Sequence, residues 1–231
     1  MNNKNTNSDM DNNICNKDEC AVPFSTPTTM GIFGATLCGK TTWCKKMIEQ
    51  SDRLFTIPIK KILFCYGMYQ DIFEKLNSSM ENFFLHAGLP SRQVIEEFTA
   101  DKEHNMIVLD DLQQEMAKDA QMEKLFTQLA HHLNVTVVFM GNNLFYKNFS
   151  RTITVNLHVI ILFRNARDEQ QVRCLARQLY PLKSEQFINA YLDSTSQPYG
   201  YIVIDLSPSA NKQLQLRSSI FAGEDPIIYK I

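Results

Sequence analysis

The amino-acid sequence predicts an α/β domain whose mainly parallel central sheet is covered by helices on both faces. Two observations carry that expectation. Near-continuous apolar runs of strand length alternate with stretches of helical period, as they do when strands are buried on both sides. A glycine loop from Gly34 to Thr41 falls between the first such strand and the first such helix, where a phosphate-binding turn belongs. No internal repeat or long linker interrupts the alternation, and 231 residues suit a single domain with a sizeable core.

Residues 1–25 are rich in Asn, Asp, Lys and Ser and offer little to bury, so they read as a disordered polar tail ahead of a domain at 26–231. Thr28 to Phe33 is the first apolar run and leads into the glycine loop, and Lys40 to Gln50 reads as the helix behind it. Ile62 to Tyr66 is a second buried strand. Asp71 to Leu76 follows as a helix and Asn82 to Leu85 as a short strand. Pro90 and Ser91 open a helix through Phe98, since proline suits a helix start and serine a cap. Met106 to Leu109 is the third apolar strand, delivering Asp110 and Asp111 at its end. The helix expected from Asp119 to Leu133 places Met122, Leu125, Phe126 and Leu129 on one face. Val135 to Met140 and Val159 to Phe163 are further strands. Asp168 to Leu179, closed by Pro181, and Ser184 to Leu192 are helices. Gly200 to Leu206, Gln213 to Ile220 and Pro226 to Tyr229 close the chain as strands joined by turns.

Composition narrows the function classes. Apolar residues make up 44% and charged residues 21%, with a net charge of −2, so no strong positive field gathers nucleic acid from a distance. No apolar run reaches the roughly 18 residues a membrane span requires. The polar start lacks a secretory pattern, which sets the expectation of an intracellular protein. Six scattered cysteines do not form a disulfide framework. Cys15 and Cys20 lack a second ligand pair at zinc-finger spacing.

The loop Gly34-Ala35-Thr36-Leu37-Cys38-Gly39-Lys40-Thr41 fits G-x-x-x-x-G-K-[ST]. Glycines let backbone N–H groups curl around phosphates, and the helix N-terminus adds a favourable dipole. Lys40 supplies a point charge to the β and γ phosphates. The Thr41 hydroxyl is placed for magnesium, with Thr42 completing the cradle. ATP and Mg2+ are therefore the expected cofactors. Asp110 and Asp111, at the end of an apolar strand, suit a hydrolysing site in which the first acid holds the magnesium and the second polarises the attacking water. Glu115 is the reserve for the second role. Asn142, after the next strand, is placed to sense the γ-phosphate. Arg151, Arg164 and Arg167 flank or end the following strand, and Arg151, expected in a loop between strands where it projects outward, is the favoured finger reaching a neighbouring subunit. His131 and His132 are adjacent and point about 100° apart on a helix, so they do not share a metal. Cys38 lies near a helix N-terminus, a position that can lower a thiol pKa, although an inert filler of the loop is the simpler reading.

These residues resemble the FtsK–HerA type packaging ATPases of eukaryotic DNA viruses and Polinton-like elements, including adintoviruses and virophages. The resemblance runs from about Met30 to the C-terminus. Beyond the nucleotide motifs it rests on Phe64-Cys65-Tyr66-Gly67-Met68-Tyr69-Gln70, His86-Ala87-Gly88-Leu89-Pro90, and Leu125-Phe126-Thr127 with His131, His132 and Asn134. It continues through Asn143-Leu144-Phe145, Phe163-Arg164-Asn165 and Leu175-Ala176-Arg177-Gln178 to Ile220-Phe221 with Gly223-Glu224. Where members of that group carry Thr-Gln as the sensor pair, this chain has Gly141-Asn142.

The resemblance implies a RecA-like P-loop NTPase fold of the additional-strand class, in which a strand lies between the loop strand and the acid strand. It also implies a homo-oligomeric ring that hydrolyses ATP to move double-stranded DNA, without sequence preference, into a preformed capsid. Capsid or portal vertex proteins are the implied partners. The implied setting is the host nucleus or a cytoplasmic virus factory, with virion association left open. Two rival readings share the loop: a small-molecule nucleoside or nucleotide kinase, and a non-hydrolysing ATP-dependent assembly factor.

Overall fold

A computed structural model of the chain describes residues 22–145 and 151–231. Among the described residues, nine strands form one sheet. They are β1 (Thr29–Phe33), β2 (Ile62–Tyr66), β3 (Phe83–Ala87), β4 (Asn105–Asp110), β5 (Val135–Gly141), β6 (Val159–Phe163), β7 (Tyr201–Asp205), β8 (Leu216–Ser218) and β9 (Ile227–Tyr229). Their spatial order is β3-β2-β4-β5-β1-β6-β7-β8-β9. The first six in that order are parallel, and β7, β8 and β9 add antiparallel pairs at one side. β5 lies between the loop strand β1 and the acid strand β4. This insertion defines the additional-strand architecture, as the resemblance implied.

Ten α-helical segments surround the sheet among the described residues: α1 (Lys40–Glu49), α2 (Ser51–Leu54), α3 (Asp71–Ser79), α4 (Arg92–Phe98), α5 (Gln113–Met116), α6 (Ala120–Lys124), α7 (Ala130–His132), α8 (Arg151–Val155), α9 (Glu169–Leu179) and α10 (Ser184–Ser194). Strand periodicity sorts the core into two layers, because successive residues point to opposite faces. Met106 and Val108 of β4 join Met30, Ile32, Val138 and Met140 under α1 and α3. Ile107 and Leu109 join Val137, Phe139 and Leu162 under α4, α9 and α10. The sheet is thus covered on both sides, and β4 reads as an unbroken apolar run because both its faces are buried.

α1 is held over its layer by Trp43, Cys44, Met47 and Ile48. The Trp43 ring meets Tyr201 at 5.7 Å and Phe221 at 5.3 Å in edge-on contacts. Glu224 bonds Lys46 at 3.3 Å and the Tyr201 hydroxyl at 2.9 Å, tying the C-terminal loop to the same helix. These contacts fix the helix whose first residue is Lys40. At α4, Ser91 caps the helix by accepting a hydrogen bond from the Val94 N–H at 3.3 Å.

Three expectations need correction. The helix expected over Asp119–Leu133 is interrupted by a π-helical turn, Leu125–Leu129, between α6 and α7. Within that turn Thr127 donates its hydroxyl to the Glu123 carbonyl at 2.9 Å, a back-bond that loosens regular helix. The strand expected over Gln213–Ile220 is a 3-10 turn, Lys212–Leu214, followed by the short β8. Arg151 begins α8 rather than lying in a loop. The tail expectation for residues 1–21 lies outside the described residues, but Phe24 belongs to the folded body. It is fully buried, bridges to Phe55 and lies 5.0 Å below the Arg217 guanidinium.

Candidate functional site

The C-terminal ends of the parallel strands share one edge, and register decides what meets there. Phe33 pairs with Gly141 on one side and Leu162 on the other, and Asp110 pairs with Met140 and Tyr66. The glycine loop after Phe33 therefore lies beside Asn142, with Asp110 one strand further on. Gly67 and Asp111 emerge from the same edge.

Within the loop, Gly39 stands at the start of α1 with φ of 106°, a left-handed conformation open to glycine at little cost. Leu37 also has positive φ, at 65°, and is 91% exposed at the tip. Ala35 and Thr41 are half-buried, and Thr36 and Thr42 are exposed. The Lys40 ammonium donates to the carbonyls of Gly34 at 2.9 Å and Ala35 at 3.0 Å, and to Asn142 Oδ1 at 2.9 Å. Burial lowers its pKa, an effect opposed by the nearby Cys38, Asp110 and Asp111. The loop lysine and the sensor candidate are thus joined directly, across the boundary between β1 and β5.

Asp110 is 5% exposed, and its Oδ2 is buried without a hydrogen-bond partner. Burial and the adjacent Asp111 push its pKa up to about 6, with Lys40 pulling the other way. A buried carboxylate oxygen with no donor is costly unless a cation satisfies it. That orphan is what a magnesium position beside the loop would use, so the residues fit the ion: Thr41 and Asp110 would hold it. Among the described residues no group of three His, Cys, Asp or Glu forms a metal cage.

Asp111 is exposed and has φ of 54°, a conformation disfavoured for residues other than glycine. The β2 end holds it there. The Gly67 N–H donates to the Asp110 carbonyl at 2.9 Å, and a Cβ on Gly67 would sit 2.6 Å from the Asp111 carbonyl oxygen. Glu115 is exposed in the first turn of α5. α5 is anchored by Gln113, which donates to the Asn143 carbonyl at 2.7 Å. Sequence reasoning missed Gly67 and Gln113 as positioning residues: one signals only a turn, and the other is a polar residue in a helix too short to read.

The arginines part company. Arg164 is exposed directly after β6, on the edge that carries the loop. Arg167 is exposed before α9, where Asp168 takes the N-cap position. Arg151 is exposed at the first turn of α8, and no hydrogen bond joins it to Lys40, Asp110 or Asn142. For Cys38, burial raises the pKa more than Lys40 lowers it, which supports the inert reading. His131 lies against His158, with ring centroids 5.6 Å apart and planes tilted by 60°.

Sheet order and loop together define this chain as a P-loop NTPase fold of the additional-strand class. Solved structures share that fold. The genome packaging NTPase B204 of Sulfolobus turreted icosahedral virus 2, in complex with ATP-gammaS, superposes with a TM-score of 0.56 at 11% identity. It covers 78% of this chain and 92% of that one. B204 of Sulfolobus turreted icosahedral virus, a DNA-packaging ATPase, gives a TM-score of 0.54 at 10% identity with the same coverage. The cytoplasmic domain of the Thermomonospora curvata type VII secretion ATPase EccC gives 0.53 at 11% identity, covering 87% of this chain and 25% of that one. No protein-family model and no curated protein matches the sequence. No helix among the described residues is long and apolar enough to cross a membrane.

Proposed function

We propose that the chain is an ATP-driven translocase of double-stranded DNA that packages a viral or virus-like genome into a preformed capsid. The observation that carries the ATPase part is the meeting of Lys40, Asn142 and the unsatisfied Asp110 at one sheet edge. The packaging part is supported by the motifs from Met30 onward and by the fold shared with B204 over 92% of its length.

The division of labour follows from position. Backbone N–H groups of 34–41 and Lys40 bind the phosphates and draw charge from the bridging oxygen. Mg2+, when held by Thr41 and Asp110, supplies further charge neutralisation. Asp111, with Glu115 behind it, orients the attacking water and takes its proton. Asn142, released from Lys40 when the ammonium turns to the phosphates, bonds the γ-phosphate or the water that attacks it. Arg151 faces outward on α8, as a group serving a neighbouring subunit of a ring must.

The test is ATP hydrolysis by the purified full chain, with and without long double-stranded DNA. Turnover stimulated by DNA and lost in Lys40→Ala supports the reading. Turnover indifferent to DNA and dependent on a nucleoside acceptor replaces it with the kinase.

A further inference from the structure

We infer that Tyr199 is the platform on which the nucleotide base stacks; the inference rests on the proposed nucleotide site. The phosphate end of that site is fixed by Asp110 and Asn142, which lie on the β4–β5 side of the loop. The rest of a nucleotide must leave toward the other side, across β6. There β7 runs antiparallel to β6, with Phe163 opposite Tyr201, so the residues just before Tyr201 emerge at the same edge as the loop.

Tyr199 is one of them. Its ring reaches the loop itself: a Cβ on Gly39 would lie 3.1 Å from the Tyr199 Cδ1. Yet the side chain is 72% exposed, so one part touches the loop while most of it faces solvent. The backbone at Tyr199 is left-handed, with φ of 63°, a conformation seldom kept by an aromatic residue that packs nothing. The turn that imposes it is closely packed. The Gly200 N–H donates to the Gln197 carbonyl at 3.0 Å, and any Cβ on Gly200 would collide with the Ser194 carbonyl at 2.4 Å. α10 thus ends against the turn and aims the ring. A large planar face, held beside the start of α1 and left open, suits a heteroaromatic base. Stacking uses the π-face that every base has, so the ring binds the base without selecting its identity.

The experiment compares equilibrium binding of ATP and of inorganic tripolyphosphate, each with magnesium, by the full chain and by Tyr199→Phe and Tyr199→Gly. The glycine variant removes the ring and accommodates the positive φ, so the turn is retained. We expect Tyr199→Gly to weaken ATP about 10-fold or more, Tyr199→Phe to stay near wild type, and tripolyphosphate to bind all three alike. Equal weakening of both ligands in Tyr199→Gly would mean that the ring only props the loop, and overturns the inference. An unchanged ATP affinity overturns it too. The nucleotide site itself is judged separately, by whether wild type binds tripolyphosphate and Lys40→Ala does not.

Discussion

Lys40 Nζ donates to Asn142 Oδ1 at 2.9 Å, so the charge at the start of α1 is tied to the end of the strand inserted beside β1. An ammonium shared between loop carbonyls and a side-chain amide reorganises when a phosphate takes its place. Asn142 is then free to bond the γ-phosphate or the water that attacks it. Charged hydrogen bonds of this kind contribute about 1.5–3 kcal/mol. Asn142→Ala is expected to lower kcat about 10-fold or more with little change in ATP affinity. Steady-state phosphate release beside equilibrium nucleotide binding checks this, and an unchanged kcat removes Asn142 from the site.

Asp110 gives a stability signature before any nucleotide is added. Burial and the neighbouring Asp111 push its folded pKa up to about 6, above the ordinary carboxylate value of 3.8. Between those values the folded state holds the proton more tightly, so the stability of the apo protein falls as pH rises through that window. The buried charge is half developed at about pH 6 and nearly complete about one unit higher. Asp110→Asn is therefore expected to raise Tm at pH 7 to 8, with the gain shrinking toward pH 4, while hydrolysis is lost. Melting curves across that range decide it, and a variant less stable at every pH contradicts the assignment.

Gly67 sits in the loop after β2, yet it supports the acid pair. Gly67→Ala places a methyl group against the Asp111 carbonyl at 2.6 Å, and overpacking of this sort costs about 1–3 kcal/mol. The expected result is a folded protein with a lower Tm that binds ATP and hydrolyses it poorly. Normal turnover would show that Asp111 tolerates displacement and does not orient the water.

Arg151 is tested by mixing subunits. Arg151→Ala and Lys40→Ala proteins are expected to be inactive alone. If Arg151 acts across an interface, about a quarter of the interfaces in randomly mixed rings unite an intact loop with an intact arginine. Activity then returns in the mixture. No recovery, alongside recovery for the same experiment with Arg164→Ala, moves the finger to Arg164.

Asp205 and Arg217 form a buried ion pair at 2.9 Å, each side chain 5% exposed, with Phe24 against the guanidinium. Removing one partner leaves an uncompensated buried charge, so Arg217→Ala is expected to destabilise the fold by about 3–5 kcal/mol. Phe24→Ala leaves a cavity over the same pair, at about 3–5 kcal/mol. Denaturant unfolding measures both. A small effect of Phe24→Ala would detach the segment before β1 from the core.

Much of this protein was legible before folding. The strands at Ile62–Tyr66 and Val159–Phe163 appear with their boundaries intact, because a strand buried on both faces must be apolar throughout. The phosphate loop was legible because phosphate binding demands glycine and lysine at fixed spacing along a single turn. The short helices α2, α5 and α8 were missed, since four or five residues carry too little periodicity. The π turn was missed as well, because a one-residue change in helical winding leaves the apolar face nearly intact. Which groups meet Lys40 depends on strand order, and no local pattern encodes that order. Asn142 reaches it from 102 positions away, and Tyr199 reaches Gly39 only because β7 runs back along β6. Local chemistry set the loop, the acids and the strands; the packing of β5 beside β1, which buries apolar faces on both sides, decided which of them face one another.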